Sequence, residues 1–188
     1  MKPLFNIPRM LIGGALAVTL GCFLVSCAEA APKKLPANYT IVTTCGMVTD
    51  IVREVAGAKA KVQGLMGEGV DPHLYKPTRD DVAKLLQADV VFYSGLMLEG
   101  RMTDTFLKVA RKGTPVFAVA ELLDEKFLLE PKEFAGHTDP HVWMDVRGWI
   151  EAVKVVARSL GEGDPGNATY YTQNADRCVA HQGMLPSQ

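Results

Sequence analysis

Residues 69–81 read GVDPHLYKPTRDD, and the rest of the chain can be interpreted outward from them. The stretch contains one histidine, His73, with a proline on each side of it. Because each proline fixes φ and lacks an N–H, the stretch disfavours both helix and central strand. Thr78 is a good N-cap for a helix that begins at Arg79. The sequence therefore predicts that His73 lies on a stiff loop just before a helix.

A second Asp-Pro-His tripeptide occurs in residues 139–145, which read DPHVWMD. Neutral imidazole is the commonest transition-metal ligand, and neighbouring groups must fix its orientation. Asp71 and Asp139 are close enough in sequence to do so. The alternative is that each histidine is a hydrogen-bonded structural residue. The repeated context favours a metal site made by His73 and His141.

His137 precedes His141 by four residues, the spacing of two ligands on one helical face. Pro140 lies between them and argues against a regular helix, so we expect His137 to be a peripheral loop residue. The sequence has no G-x-S-x-G, phosphate-loop, G-x-G-x-x-G or H-E-x-x-H motif. Nothing therefore indicates nucleophilic catalysis or nucleotide binding.

Apolar segments with strand and helix periodicity alternate along the chain, with short connections between them. Strands are predicted at residues 39–43, 59–66, 90–93 and 116–119, and helices at residues 47–55, 79–87, 102–110 and 146–160. An interruption follows at residues 164–166, and residues 170–179 can resume a helix. This alternation predicts an α/β fold, a four-stranded parallel sheet flanked by helices. Ligands of such sheets bind at the carboxyl ends of the strands.

The N-terminus has the features of an export signal. Two basic residues precede an uncharged apolar run at residues 11–25, which at about 15 residues is short for a membrane span. Residues 24–27 read LVSC, a bacterial lipobox that makes Cys27 the lipid-bearing residue. Ordinary cleavage after Ala30 and a retained membrane anchor are the alternatives. We therefore expect a signal peptide at residues 1–27 and a tether at residues 28–37.

Charge and cysteine content narrow the possible classes of protein. The chain has 20 Lys and Arg against 21 Asp and Glu, without a basic block, so we expect no nucleic-acid partner. Apart from Cys22 and Cys27 of the signal region, the chain contains Cys45 and Cys178. A disulfide between these two is weakly supported, and a buried Cys45 with an incidental Cys178 is the favoured interpretation.

Four segments together resemble a known family, the zinc and manganese substrate-binding lipoproteins of ABC importers, also called cluster A-I. The similarity runs from about Tyr39 to about Asp176. The segments are residues 41–47 (IVTTCGM), 64–78 (GLMGEGVDPHLYKPT), 96–100 (LMLEG) and 139–145 (DPHVWMD).

The resemblance implies two α/β lobes joined by a long helix, with a transported Mn²⁺ or Zn²⁺ in the cleft. It implies that His73 and His141 are the first two of four ligands. A His or Glu and an Asp of the C-terminal lobe would complete the set, and a carboxylate third ligand favours manganese while imidazole favours zinc. It further implies a monomeric protein that is not an enzyme, an ABC permease with its ATPase as partners, and a lipid-anchored location outside the cytoplasm, periplasmic or on the cell surface.

The chain departs from this pattern in length. We expect an N-terminal metal-binding lobe at residues 38–145, part of the linking helix at 146–180, an irregular tail at 181–188 and no C-terminal lobe, as in a truncated or frameshifted reading frame. The helix from residue 146 should then leave the lobe and expose an apolar strip, made by Trp149, Ile150, Val153 and Val156. Met97 occupies a position where relatives often carry histidine.

Two other functions remain open from the residues alone. One is a lipid-anchored surface or adhesion module in which the histidines are structural. The other is a metal-dependent hydrolase with an open coordination position, although no third ligand or general base is placed near the histidines.

Overall fold

The structure is a computed structural model that describes residues 35–132 and 135–181. Within these ranges, four parallel strands form one sheet in the spatial order β2-β1-β3-β4. The strands are β1 (Tyr39–Thr43), β2 (Ala60–Gly64), β3 (Val90–Tyr93) and β4 (Val116–Ala118). The prediction of an α/β fold with a four-stranded parallel sheet is confirmed.

In the described part of the chain, five α-helices accompany the sheet, and the first three alternate with the strands. They are α1 (Gly46–Ala56), α2 (Arg79–Gln87), α3 (Thr103–Arg111), α4 (Val146–Gly163) and α5 (Ala168–His181). The observed ends differ from those predicted by a few residues, as expected for assignments made from periodicity.

Strands β1 and β3 occupy the centre of the sheet, where their mostly apolar residues can be covered on both faces. Ile41 pairs with Val62 of β2 on one side and with Val90 of β3 on the other. Ile41 and Val90 are almost completely buried, whereas β2, at the edge, is only partly covered. The core therefore forms around the two central strands.

The last two helices pack back onto the lobe. Helices α4 and α5 contact each other along much of their length, and both contact α1. The side-chain amide of Asn174 in α5 donates to the backbone oxygen of Val55 in α1 at 2.9 Å. The chain reverses between the two helices at Asp164, whose Oδ2 accepts hydrogen bonds from Asn167 and Tyr171, each at 2.7 Å.

This packing corrects part of the expectation of an exposed apolar strip on a helix that leaves the lobe. Val153 and Val156 are both completely buried, and only Trp149 and Ile150 remain partly exposed. Periodicity predicted the apolar face of α4 correctly, but it could not predict that α1 and α5 would cover part of that face. The assignment of residues 146–180 to a linking helix stays a prediction.

The tether at residues 28–37 stays a prediction, but one residue at its described end packs on the lobe. Leu35, which falls within the predicted tether, is buried, and its N–H donates to the backbone oxygen of Gly163 at 2.9 Å. Leu35 therefore belongs to the fold. The predicted signal peptide with Cys27 and residues 182–188 of the predicted tail lie outside the described residues. Within the described ranges, none of the helices is both long and apolar enough to cross a membrane.

Candidate metal centre

The structure brings the two predicted ligands together. Nε2 of His73 lies 3.3 Å from Nε2 of His141, although 68 residues separate them in sequence. The ring centroids are 5.3 Å apart and the ring planes are inclined by 48°. Both residues are exposed.

The loop that carries His73 is fixed to the start of α2. The Thr78 hydroxyl accepts the N–H of Asp81, and the Asp81 carboxylate accepts the N–H of Thr78, which forms a capping box. The same carboxylate accepts hydrogen bonds from the hydroxyls of Thr78 and Tyr75, each at 2.7 Å. Burial raises the pKa of Asp81, but these hydrogen bonds outweigh burial and the net pKa lies below its ordinary value.

The loop that carries His141 is fixed by local hydrogen bonds and packing. Oδ1 of Asp139 accepts the backbone N–H of His141 at 2.9 Å and lies 2.6 Å from the ring Nδ1. The backbone N–H of His141 and its ring hold the pKa of Asp139 below its usual range. The Trp143 ring meets the His141 ring edge to face, with centroids 5.2 Å apart. A short 3₁₀ turn then buries Val142 and leads to α4.

The spacing of the two imidazoles suits a shared metal ion. Two nitrogens that each lie 2.0–2.1 Å from a tetrahedral Zn²⁺ are separated by about 3.3 Å. The observed 3.3 Å is also longer than most hydrogen bonds between nitrogen and its acceptors. The contact between Nδ1 of His141 and Asp139 directs Nε2 toward His73, as in the carboxylate–histidine–metal arrangement.

Among the residues that the structure describes, no group of three or more His, Cys, Asp or Glu side chains could hold a metal ion. His137 is exposed, and it lines a cavity of about 240 Å³ together with Pro131 and residues 138–141. His137 is thus near His141 without completing a three-ligand cluster. The described part of the chain contributes two imidazoles to a candidate site.

Two cysteines remain after the signal region, and neither belongs to the site. Cys45 and Cys178 are both buried and free. Burial raises the pKa of Cys45 to about 11, and burial likewise raises the pKa of Cys178. Both thiols therefore stay protonated at neutral pH, which disfavours a role as metal ligand or nucleophile.

Glu99 is a buried carboxylate whose role the sequence did not predict. It accepts hydrogen bonds from the Thr44 hydroxyl at 2.6 Å and from the backbone N–H of Ser94 at 2.8 Å and of Gly95 at 3.2 Å. These bonds join the loops that follow β1 and β3 at the carboxyl edge of the sheet. The sequence signal that could have indicated a buried carboxylate is the single acidic residue in the otherwise apolar run LMLEG, which follows a glycine.

The comparisons with known proteins agree with the fold. The family described as "Zinc-uptake complex component A periplasmic" matches residues 41–183. The zinc-binding protein TroA of Treponema pallidum is 44% identical over 147 residues, which are 77% of this chain and 45% of TroA. The manganese-binding lipoprotein MntA of Bacillus subtilis is 38% identical over 156 residues, which are 82% of this chain and 49% of MntA.

A solved structure of the periplasmic zinc-binding protein TroA from Treponema pallidum superposes with a TM-score of 0.70 at 39% identity, and covers 78% of this chain and 51% of that one. The chain thus spans about half the length of the curated relatives it matches. The chain belongs to the zinc-uptake complex component A family.

Proposed function

We propose that this chain provides the metal-capturing histidines of an extracytoplasmic substrate-binding component of an ABC importer. Its cargo is a divalent transition metal, Zn²⁺ or Mn²⁺, which is passed on to a membrane permease. His73 and His141 each donate Nε2 to the ion. The remaining coordination positions are filled by groups other than the two imidazoles. The protein acts as a carrier and not as an enzyme.

The observation that carries this proposal is the separation of 3.3 Å between the two Nε2 atoms. That the same ring nitrogen of two histidines 68 residues apart meets at a distance that suits one tetrahedral ion favours a shared metal ion over two separate structural roles. Both Asp-Pro-His loops are also stiffened by hydrogen bonds that do not involve Nε2. These loop hydrogen bonds hold the two histidines in place without using either Nε2.

Imidazole donors by themselves favour zinc over manganese, because Mn²⁺ stands lowest in the general affinity order for divalent metals. Relatives with the printed names zinc-binding protein and manganese-binding lipoprotein are both similar to this chain. The choice between the two ions therefore depends on the ligands that join His73 and His141.

We further propose that the protein works outside the cytoplasm and is held to the membrane by a lipid on Cys27. Several relatives are named as ABC transporter substrate-binding lipoproteins, and the family description includes the word periplasmic. Its partners are accordingly the permease of the importer and, through the permease, the ATPase. We propose that the protein meets them as a monomer.

Isothermal titration of the purified full chain with Zn²⁺ tests the proposal. We expect one ion per monomer for the wild type, and loss of binding for both His73→Ala and His141→Ala. His137→Ala is the matched control, because it removes an exposed imidazole from the same loop as His141. Unchanged zinc binding in either single variant, or equal loss in the control, overturns the assignment of the two ligands.

A further inference from the structure

At the carboxyl edge of the sheet, the pairing of the two central strands ends and a side chain continues it. The paired register of β1 and β3 ends at Thr43 and Phe92. Just beyond it, Oε1 of Glu99 accepts the Thr44 hydroxyl at 2.6 Å and the Ser94 N–H at 2.8 Å. One carboxylate oxygen therefore forms a bridge between the ends of β1 and β3.

This bridge lies in the interior of the lobe, because Glu99, Thr44 and Ser94 are all almost completely buried. A hydrogen bond at the surface can be replaced by bonds to water when one partner is lost. A buried one cannot, and the partner that remains bears the full cost of being unsatisfied. The bridge is thus a firm connection between the two central strands.

Thr44 and Ser94 also bind the segments that leave the two outer strands. The backbone oxygen of Thr44 accepts the N–H of Met66, shortly after β2, at 3.0 Å. The backbone oxygen of Ser94 accepts the N–H of Ala120, shortly after β4, at 2.8 Å. In the order β2-β1-β3-β4, Glu99 therefore lies at the centre of a row of hydrogen bonds that crosses all four strand ends.

Each end of this row leads to one of the two histidines. Met66 begins the connection from β2 to the His73 loop. At the other end, the 3₁₀ turn Ala120–Leu122 contacts α4. Helix α4 in turn contacts the 3₁₀ turn Val142–Met144, which directly follows His141. The separation of the two histidine loops therefore depends on how far apart the ends of β1 and β3 are held.

We propose that Glu99 is a positioning residue for the metal site. Its carboxylate fixes the spacing of β1 and β3 at the carboxyl edge, and through that spacing it fixes the approach of His73 to His141. The effect on metal binding rests on the proposed function, whereas the bridge itself does not. The donors to Glu99 are one hydroxyl and two backbone N–H groups, all neutral, so the bridge requires acceptor oxygens and no partner charge.

The alternative is that Glu99 only closes its own turn. Its Oε2 accepts the N–H of Gly95 at 3.2 Å, and the next two residues, Leu96 and Met97, have φ values of 51° and 63°. Residues other than glycine rarely adopt such values, and they lose stability there. A carboxylate that merely stabilised this strained turn would need its bonds to the turn but not its bond to Thr44.

Thr44→Val separates the two roles, since it removes the bond to the end of β1 and leaves the carboxylate on the turn. We expect it to weaken Zn²⁺ binding by the full chain about 2- to 30-fold, the range for substitutions that act on a site through packed contacts. Isothermal titration measures the change.

Thr49→Val is the matched control for Thr44→Val. It also removes a buried hydroxyl, which contacts the Thr43 hydroxyl at 2.7 Å and donates to the Cys45 backbone oxygen at 2.8 Å. Thr49 lies on α1 and not between β1 and β3, so its loss should lower stability and leave the zinc affinity unchanged.

Two variants of Glu99 and a second metal supply further readouts. Glu99→Ala should weaken Zn²⁺ binding at least as much as Thr44→Val. Glu99→Gln should restore most of the affinity, because its amide oxygen can accept both the Thr44 hydroxyl and the Ser94 N–H. With Co²⁺ in place of zinc, the absorption spectrum of Thr44→Val should differ from that of the wild type. Those of Thr49→Val and Glu99→Gln should not, since lower stability alone does not change the geometry around a bound ion.

Amide hydrogen exchange of the metal-free full chain tests the bridge without any metal. Thr44→Val should speed exchange at the N–H groups of Met66 and Ala120 more than Thr49→Val does, because both groups belong to the row that the bridge holds together. Faster exchange at both, with no zinc binding by the wild type, would count against the proposed function while the bridge stands.

Three results would overturn the inference. The first is a Thr44→Val variant with the zinc affinity and Co²⁺ spectrum of the wild type, which would confine Glu99 to its own turn. The second is an equal loss of affinity in Thr44→Val and Thr49→Val. The third is a Glu99→Gln variant that binds zinc as poorly as Glu99→Ala. If Glu99→Ala does not fold, Thr44→Val and Glu99→Gln still decide.

Discussion

The phenol oxygen of Tyr39, at the start of β1, lies 3.0 Å from the phenol oxygen of Tyr171 in α5, 132 residues away in sequence. Tyr171 uses its own proton to donate to Oδ2 of Asp164 at 2.7 Å, so Tyr39 is the donor in the contact between the two phenols. Burial raises the pKa of Tyr171, and its hydrogen bonds with Tyr39 and Asp164 raise it further. The chain of hydrogen bonds joins the first strand to the turn between α4 and α5.

We expect Tyr171→Phe to lower the free energy of unfolding by about 1–3 kcal/mol, because it leaves the buried hydroxyl of Tyr39 without its acceptor. Denaturant unfolding of the full chain measures the change. Tyr170→Phe is the control, since Tyr170 is only partly buried and its hydroxyl accepts an exposed N–H from Ala58 at 3.2 Å beside a hydrogen bond with the Asn174 side chain. Equal decreases in the free energy of unfolding of the two variants would show that the buried chain of hydrogen bonds does not stabilise the fold.

Asp81 gives the His73 loop a dependence on pH. Its pKa is lowered in the folded protein, so its contribution to stability is present above the ordinary value of 3.8 and is lost as the pH falls through the lower folded value. Asp81→Asn should therefore be less stable than the wild type at pH 7, and the difference should shrink below about pH 4. Thermal unfolding across this pH range measures it.

Asp80→Asn is the control for that experiment, because Asp80 lies in the same helical turn but its side chain is 82% exposed and forms only a surface ion pair with Lys84. Its effect on stability should be small at every pH. A difference between the wild type and Asp81→Asn that grows as the pH falls would contradict the assignment of Asp81 as an ionised cap.

The relative affinity of the chain for Zn²⁺ and Mn²⁺ tests whether His73 and His141 are its only protein ligands. Two imidazoles leave the other coordination positions to water, and each 1.4 kcal/mol of lost interaction weakens binding tenfold. We therefore expect the full chain to bind Zn²⁺ weakly and Mn²⁺ more weakly still. Competition titrations with both ions measure the order. Tight binding of either ion by the monomer would show that further ligands exist, and His137 would be the first to examine.

The predicted anchor can be tested at Cys27. Cys27→Ser should release the protein from membranes or leave its signal peptide uncleaved, since the thiol that receives the lipid is absent. Membrane fractionation and the electrophoretic mobility of the chain, with Cys22→Ser as the control, measure the outcome. Membrane association and mobility like those of the wild type would instead favour cleavage after Ala30 or a retained anchor.

Local patterns explain why so much of the fold could be predicted. The run VVFY at Val90–Tyr93 is a continuous apolar stretch of strand length, and it forms a buried central strand. Thr78 and Asp81 have the spacing of a capping box, and α2 begins where that spacing places it. By contrast, periodicity could not predict which helices would pack on the apolar face of α4, because it identifies a face without identifying the element that covers it.

The sequence by itself determined the order and type of the elements and the two Asp-Pro-His loops, because periodicity, capping and proline act over a few neighbouring residues. It also singled out His73 and His141. Only the tertiary structure decided that their Nε2 atoms lie 3.3 Å apart and that Asp139, but not Asp71, contacts its histidine's ring. These relationships depend on how distant segments pack and on side-chain rotamers, and two identical tripeptides cannot encode that difference locally.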